Sequence, residues 1–104
     1  MIIDFTGKTI LITGGSGGIG RAICQAFSKA NGTVAVHYNS NENGAKNTLQ
    51  SLQGEGHSIY RTNLSNPEEV HDLVQKVYNN YGQIDVVINN AAVVEQYEFD
   101  SLSY

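Results

Sequence analysis

The chain has one cysteine, Cys24, so no internal disulfide braces it, and a scaffold held by oxidised crosslinks is excluded. It carries only six Lys and Arg residues against ten Asp and Glu, and these bases (Lys8, Arg21, Lys29, Lys46, Arg61, Lys76) are scattered. Without a basic stripe to lie along phosphate backbones, nucleic acid is excluded as a partner. No apolar run approaches the roughly 20 residues that cross a bilayer, and no repeat or low-complexity block is present. Met1-Ile2-Ile3-Asp4 lacks the basic segment and long apolar core of a signal peptide, so the expectation is a soluble, cytoplasmic protein with no membrane partner. Its 104 residues suffice for one domain core and not for two. His37, His57 and His71 fall on a strand, a loop and a helix without Cys or carboxylate at ligand spacing, so structural or solvated roles are expected, and no metal site. Cys24, between apolar positions of a helix, reads as a small buried hydrophobe and not as a nucleophile.

What the chain does have is glycine, 11 residues of it, placed between apolar runs. Thr9 to Thr13 is short and apolar, as suits a strand buried on both faces. A glycine cluster follows, then Ile19, Ile23, Ala26, Phe27 and Ala30 at helical spacing, predicting a helix that packs through that stripe and ends in a left-handed cap at Asn31-Gly32. Thr33 to His37 predicts a second strand. Ser40 or Asn41 can cap a helix with Ala45, Thr48, Leu49 and Leu52 on one face, stopped by Gly54 and Gly56. A third strand is predicted over Ser58 to Thr62. Ser65-Asn66-Pro67-Glu68 has the form of a capping box, ahead of Val70, Leu73, Val74, Val77, Tyr78 and Tyr81 on one helical face, which runs to Gly82. Ile84 to Ile88 predicts a fourth strand. The alternation implies an α/β chain, a Rossmann-type parallel sheet of about four strands with three helices on both faces.

A glycine-rich turn between a buried strand and a helix suits a pyrophosphate, because unpaired amides and aligned peptide dipoles at the helix start favour anions. The run fits Gly-x-Gly-x-x-Gly as Gly15, Gly17, Gly20, and a wider spacing as Gly14, Gly18, Gly20. A plain tight turn is the competing reading, weakened by the position between strand and helix. Gly20-Arg21-Ala22 excludes a P-loop, which needs Gly-Lys-Ser/Thr. A methyltransferase would want an acid at the end of the second strand, where Tyr38 stands.

Thr13-Gly14-x-x-x-Gly18-x-Gly20, together with Asn89-Asn90-Ala91-Ala92 after the fourth strand, resembles the short-chain dehydrogenase/reductase family, nearest to its 3-oxoacyl-carrier-protein reductases and glucose dehydrogenases. The resemblance covers essentially the whole chain. It implies that Gly14, Ser16, Gly18, Ile19 and Gly20 hold the pyrophosphate and flanking riboses, with Thr13 supporting the turn. It places Asn63 and Leu64 against the adenine, Asn63 standing where the family usually has an acid. It puts Asn90, Ala91 and Ala92 beside the nicotinamide-side ribose, Asn90 also tying the fourth strand to its neighbours. Ala92 replaces the family's usual glycine.

An acid at the end of the second strand selects NAD, and a base pairs with the extra phosphate of NADP. Tyr38, Asn39 and Ser40 occupy that end and offer no carboxylate, so NADP(H) is favoured over NAD(H), although Gly17 stands at a position that is basic in many NADP-dependent members. Arg21 is expected to face solvent or pack.

The family's Tyr-x-x-x-Lys pair is absent: the residues four positions before Lys8, Lys29, Lys46 and Lys76 are Asp4, Gln25, Glu42 and Asp72. No catalytic residue is therefore assigned. The expectation is the N-terminal part of one NAD(P)-binding domain over residues 1–104, truncated before its catalytic half. The resemblance implies an oxidoreductase acting on a small carbonyl or alcohol, a homo-oligomer when complete. The alternative is a non-catalytic dinucleotide-binding or redox-sensing module. With strand order 3-2-1-4 the fourth strand would be an uncovered edge beside an exposed apolar face. Tyr97, Phe99 and Tyr104 fall in the segment that borders the substrate pocket in relatives, with aromatic loop packing as the plainer reading.

Overall fold

A computed structural model describes residues 3–91. The elements follow the predicted alternation: β1 (Thr9–Ile12), α1 (Gly18–Lys29), β2 (Thr33–Tyr38), α2 (Glu42–Ser51), β3 (Ser58–Arg61), α3 (Pro67–Tyr81) and β4 (Val86–Ile88). The strands form one parallel sheet in the order β3-β2-β1-β4, with Ile10 opposite Val34 on one side and Val86 on the other.

Period-two alternation divides the strand side chains between two faces. Ile10, Ile12, Val34 and Val36 point to the face covered by α1 and α2, where Cys24 and Phe27 meet them. Leu11 and Ala35 point to the other face and meet Leu73 and Val77 of α3. Each fully buried aliphatic side chain stabilises the fold by about 1.5–3 kcal/mol, so the two clusters explain why the central strands are apolar throughout. The second face is only partly covered. Val87 of β4 is 59% exposed, and Val74 and Tyr78 on α3 are 43% and 56% exposed. A groove of about 530 Å³ runs between α3 and β4, floored by Leu11, Leu64 and Val87. Among the described residues β4 pairs only with β1, so the expected edge and apolar face are both present.

Three local expectations need correction. Ile19 and Ala26 do not join the packing stripe of α1: both are exposed, Ile19 to 73%, because they lie off the line of residues that the helix turns toward the sheet. Gly20, Cys24 and Ser28 are the buried positions of that helix instead. The cap of α3 is Asn66 and not Ser65, its Oδ1 accepting from the amides of Glu68 (3.0 Å) and Glu69 (3.4 Å). Proline fits the first helical position, where no amide bond is needed, and this sets the cap one residue before Pro67. Ser65 instead donates its amide to Asn63 Oδ1. The fourth strand is also shorter than predicted, beginning at Val86; Asp85 just before it donates its amide to Thr9 O (2.9 Å), and its carboxylate accepts the Thr9 amide (2.8 Å) in place of a backbone partner. The left-handed residue after α1 is Asn31 (φ 72°), and Asn41 is the side chain that caps α2.

Candidate functional site

The turn from Thr13 to Gly20 leaves the carboxyl end of β1 and becomes the first turn of α1. Gly14 and Gly18 have φ of 68° and 56°, a region costly to other residues. Gly20 is required for a different reason: a Cβ there would overlap the Gly14 carbonyl and reach 3.0 Å from Asn90 Nδ2. At Gly17 the nearest atom to an added Cβ is an Arg21 nitrogen at 3.8 Å. Gly15 is also closely packed, a Cβ there lying 2.6 Å from Val36 Cγ1, so of the narrower set only Gly17 meets no geometric demand, while Gly14, Gly18 and Gly20 of the wider set each meet one.

The carbonyls of this turn are held from behind. Asn90 Nδ2 donates to Gly14 O (3.1 Å), Thr48 Oγ1 to Gly15 O (2.6 Å), and an Arg21 terminal nitrogen to Ser16 O (2.9 Å), while the Arg21 amide donates to Gly17 O (3.3 Å). The same Arg21 guanidinium reaches Thr48 Oγ1 and Gly44 O, fastening the turn to α2. Arg21 therefore packs against the turn and is not a solvent side chain. On the donor side, the Gly14 amide bonds to His37 Nδ1 (3.0 Å) and the Gly15 amide to the His37 carbonyl (2.9 Å). The amides of Ser16, Gly17, Gly18, Ile19 and Gly20 donate to no group among the described residues. With carbonyls fastened inward and these amides left open at a helix start, the turn presents the arrangement of donors that suits an anion.

The other candidates lie around it. Asn90 and Ala91, just past the carboxyl end of β4, meet Gly14, and the Ala91 amide donates to Thr13 Oγ1 at 3.1 Å. Thr13 Oγ1 thus ties the end of β1 to the segment that follows β4 and makes no bond to the turn itself, while Asn90 ties that segment to Gly14. Tyr38 is buried, while Asn39 and Ser40 are exposed at the end of β2. Arg61 Nε donates to Asn39 O (3.1 Å) and its guanidinium pairs with Glu69 at 3.3 Å. The Thr62 amide bonds to Tyr38 O, which brings Asn63 and Leu64 beside the end of β2. Asn63 Oδ1 already accepts from Ser65, leaving one lone pair for a further donor. Leu64 is half-buried against the α3 side of the sheet. Ile19 extends from the mouth of the turn. Ala92, Tyr97, Phe99 and Tyr104 lie outside the described residues.

His37 and Thr48 were not singled out for this frame by the sequence. The available signal was a polar side chain inside an otherwise apolar strand or helix face, which must find a partner when buried. Cys24 stands behind Gly15, and burial pushes its thiol up to about 12, which suppresses the thiolate. Among the described residues, no three His, Cys, Asp or Glu side chains gather as metal ligands, and no helix is long and apolar enough to cross a membrane.

A four-stranded parallel sheet of this order, with a glycine turn opening into α1, defines the Rossmann-type class of α/β folds. The family model for short chain dehydrogenases matches residues 8–104, and the chain belongs to that family. It is 31% identical over 97 residues to the short-chain dehydrogenase/reductase homolog YusS of Bacillus subtilis, covering 91% of this chain and 89% of YusS. It is 36% identical over 93 residues to glucose 1-dehydrogenase 2 of the same organism, covering 88% of this chain but 36% of that enzyme. Among solved structures, the NADPH-dependent 3-quinuclidinone reductase of Rhodotorula rubra superposes with a TM-score of 0.72 at 29% identity, over 83% of this chain and 33% of the reductase. The chain thus spans about a third of the length of these enzymes and most of the length of YusS.

Proposed function

We propose that this chain is the NAD(P)(H)-binding portion of a short-chain dehydrogenase/reductase acting on a small carbonyl or alcohol, and that it is catalytically incomplete as it stands. The observation that carries the reading is the row of open amides from Ser16 to Gly20, backed by carbonyls fastened to Asn90, Thr48 and Arg21. In this reading Ser16, Gly18, Ile19 and Gly20 hold the pyrophosphate and its riboses. Gly14 shapes the turn, Asn63 and Leu64 flank the adenine, and Asn90, Ala91 and Ala92 border the nicotinamide-side ribose. The dinucleotide, when bound, supplies hydride transfer; the residues of this chain bind and orient it. Reducing a carbonyl also needs a proton donor beside the oxygen, and no Tyr-x-x-x-Lys pair is present to provide one.

NADP(H) is the preferred form. Tyr38, Asn39 and Ser40 carry no charge that would repel the additional phosphate, and Arg61 is held against Asn39. The NADPH dependence of the similar quinuclidinone reductase supports the same preference. A cytoplasmic location and a homo-oligomeric complete enzyme belong to the same proposal. The test is calorimetric titration of the chain with NADPH and NADH. Saturable binding with NADPH the tighter is expected, without turnover of carbonyl substrates; failure to bind either form sinks the reading.

The second reading, a non-catalytic dinucleotide-binding or redox-sensing module, is favoured by one observation, the lack of a Tyr-x-x-x-Lys pair in this sequence. Coding sequence beyond Tyr104 separates the two. A downstream serine with Tyr-x-x-x-Lys supports the enzyme portion, and a stop codon supports the module.

A further inference from the structure

We infer that His37 is the positioning residue that sets the glycine turn in its anion-accepting shape and fixes its distance from the adenine-side loop; the inference rests on the dinucleotide reading above. His37 is the next-to-last residue of β2 and is 1% exposed. Its ring lies between two backbone groups of opposite character. The Gly14 amide can only donate, so Nδ1, 3.0 Å away, must be bare. The Thr62 carbonyl can only accept, so Nε2, 2.8 Å away, must carry the hydrogen. The two bonds together specify the neutral Nε2–H tautomer and leave no freedom to flip the ring.

The consequence reaches the site through Gly14. Its φ of 68° reverses the chain at the exit of β1, and its carbonyl is the group that Gly20 approaches most closely. Fixing its amide therefore fixes where the open amides of Ser16 to Gly20 stand. The other ring nitrogen holds Thr62, the residue before Asn63, so one imidazole spans the pyrophosphate turn and the end of β3. Asparagine and glutamine divide the two contacts. An asparagine Oδ1 occupies nearly the place of Nδ1 and can still accept from Gly14, losing Thr62. A glutamine Nε2 occupies nearly the place of Nε2 and can still donate to Thr62, losing Gly14.

The experiment compares wild type, His37→Asn and His37→Gln in the full chain, by NADPH titration and by hydrogen exchange at the Gly14 amide. A purely structural histidine predicts equal damage, since each variant loses one buried hydrogen bond. Positioning predicts that His37→Gln weakens NADPH binding about tenfold or more, the factor carried by one lost buried bond, and unprotects the Gly14 amide. His37→Asn keeps Gly14 protected and weakens NADPH binding less than His37→Gln does, because it loses only the link to Thr62 on the adenine side. Equal binding loss in both variants, or greater loss in asparagine, overturns the inference. If wild type binds no dinucleotide, the functional reading fails, and Gly14 exchange alone decides: protection in wild type and asparagine but not glutamine supports the inference, any other pattern overturns it. If both variants fail to fold, the ring nitrogen shifts of wild-type His37 decide, a neutral Nε2–H ring supporting the inference and any other protonation overturning it.

Discussion

Replacing Gly20 by alanine tests the turn at its tightest point. The new Cβ would lie 2.8 Å from the Gly14 carbonyl carbon and 3.0 Å from Asn90 Nδ2, and would overlap the carbonyl oxygen. Comfortable contact begins at about 3.5 Å, so relieving the overlap with the carbonyl oxygen would require helix and turn to part by more than an ångström. No side-chain rotation relieves this, because the obstruction is backbone and Asn90 holds it in place. Alanine regains about 1 kcal/mol over glycine in helix propensity. Overpacking a fixed site costs about 3 kcal/mol, so the net loss is about 2 kcal/mol and the melting temperature falls by roughly 8–16 °C. Gly17→Ala is the control, since its backbone is extended (φ 175°) and its neighbourhood open. It should change stability by no more than about 1 kcal/mol, the scale of a helix N-cap. Thermal melts followed by circular dichroism compare the two variants directly. If Gly20→Ala melted with Gly17→Ala, the close approach of α1 to Gly14 would be refuted.

The uncovered face makes a second comparison: Val87→Thr should cost less than about 0.5 kcal/mol and Val36→Ala about 2 kcal/mol, measured by urea unfolding, and equal losses would mean that Val87 is buried. The Thr9 amide holds the Asp85 carboxyl below its usual 3.8. A depressed folded value stabilises above the unfolded pKa and is lost as pH falls through the folded one. Asp85→Asn should therefore melt below wild type at neutral pH, with the gap closing in acid below about pH 4; a constant gap would contradict this. Burial raises the Cys24 thiol to about 12, so a thiol-reactive disulfide reagent should label it only as the chain unfolds, and rapid labelling of the folded protein would contradict its placement.

The strands and helices were legible because this sequence separates its two periodicities cleanly. Thr-Ile-Leu-Ile and Val-Ala-Val are unbroken apolar runs, and each helix that follows carries its apolar residues on one face between glycines. The strand order could be expected from the family resemblance, and the wider glycine spacing was one of two that the sequence allowed. What periodicity could not show was where a helix ends relative to the sheet. Ile19 fits the stripe of α1 by spacing alone, yet the buried line of that helix runs one residue later, through Gly20, Cys24 and Ser28. Ser65 and Asn66 both fit the rules for a cap, and only the demand of Pro67 for the first helical position separates them. The frame behind the glycines was the least legible part. His37, Thr48 and Arg21 come from β2, α2 and α1 and converge on a turn through bonds to backbone atoms, which leave no spacing pattern in the chain.

Spectra of the isotope-labelled chain, recorded as NADPH is added, put the open amides to the most direct trial. The resonances of Ser16, Gly17, Gly18, Ile19 and Gly20 should shift most and saturate together, with Gly14 and Gly15 moving less because their amides already bond to His37. Saturable NADPH binding that leaves those five resonances in place, or no binding at all, would contradict the assignment of this turn as the pyrophosphate site.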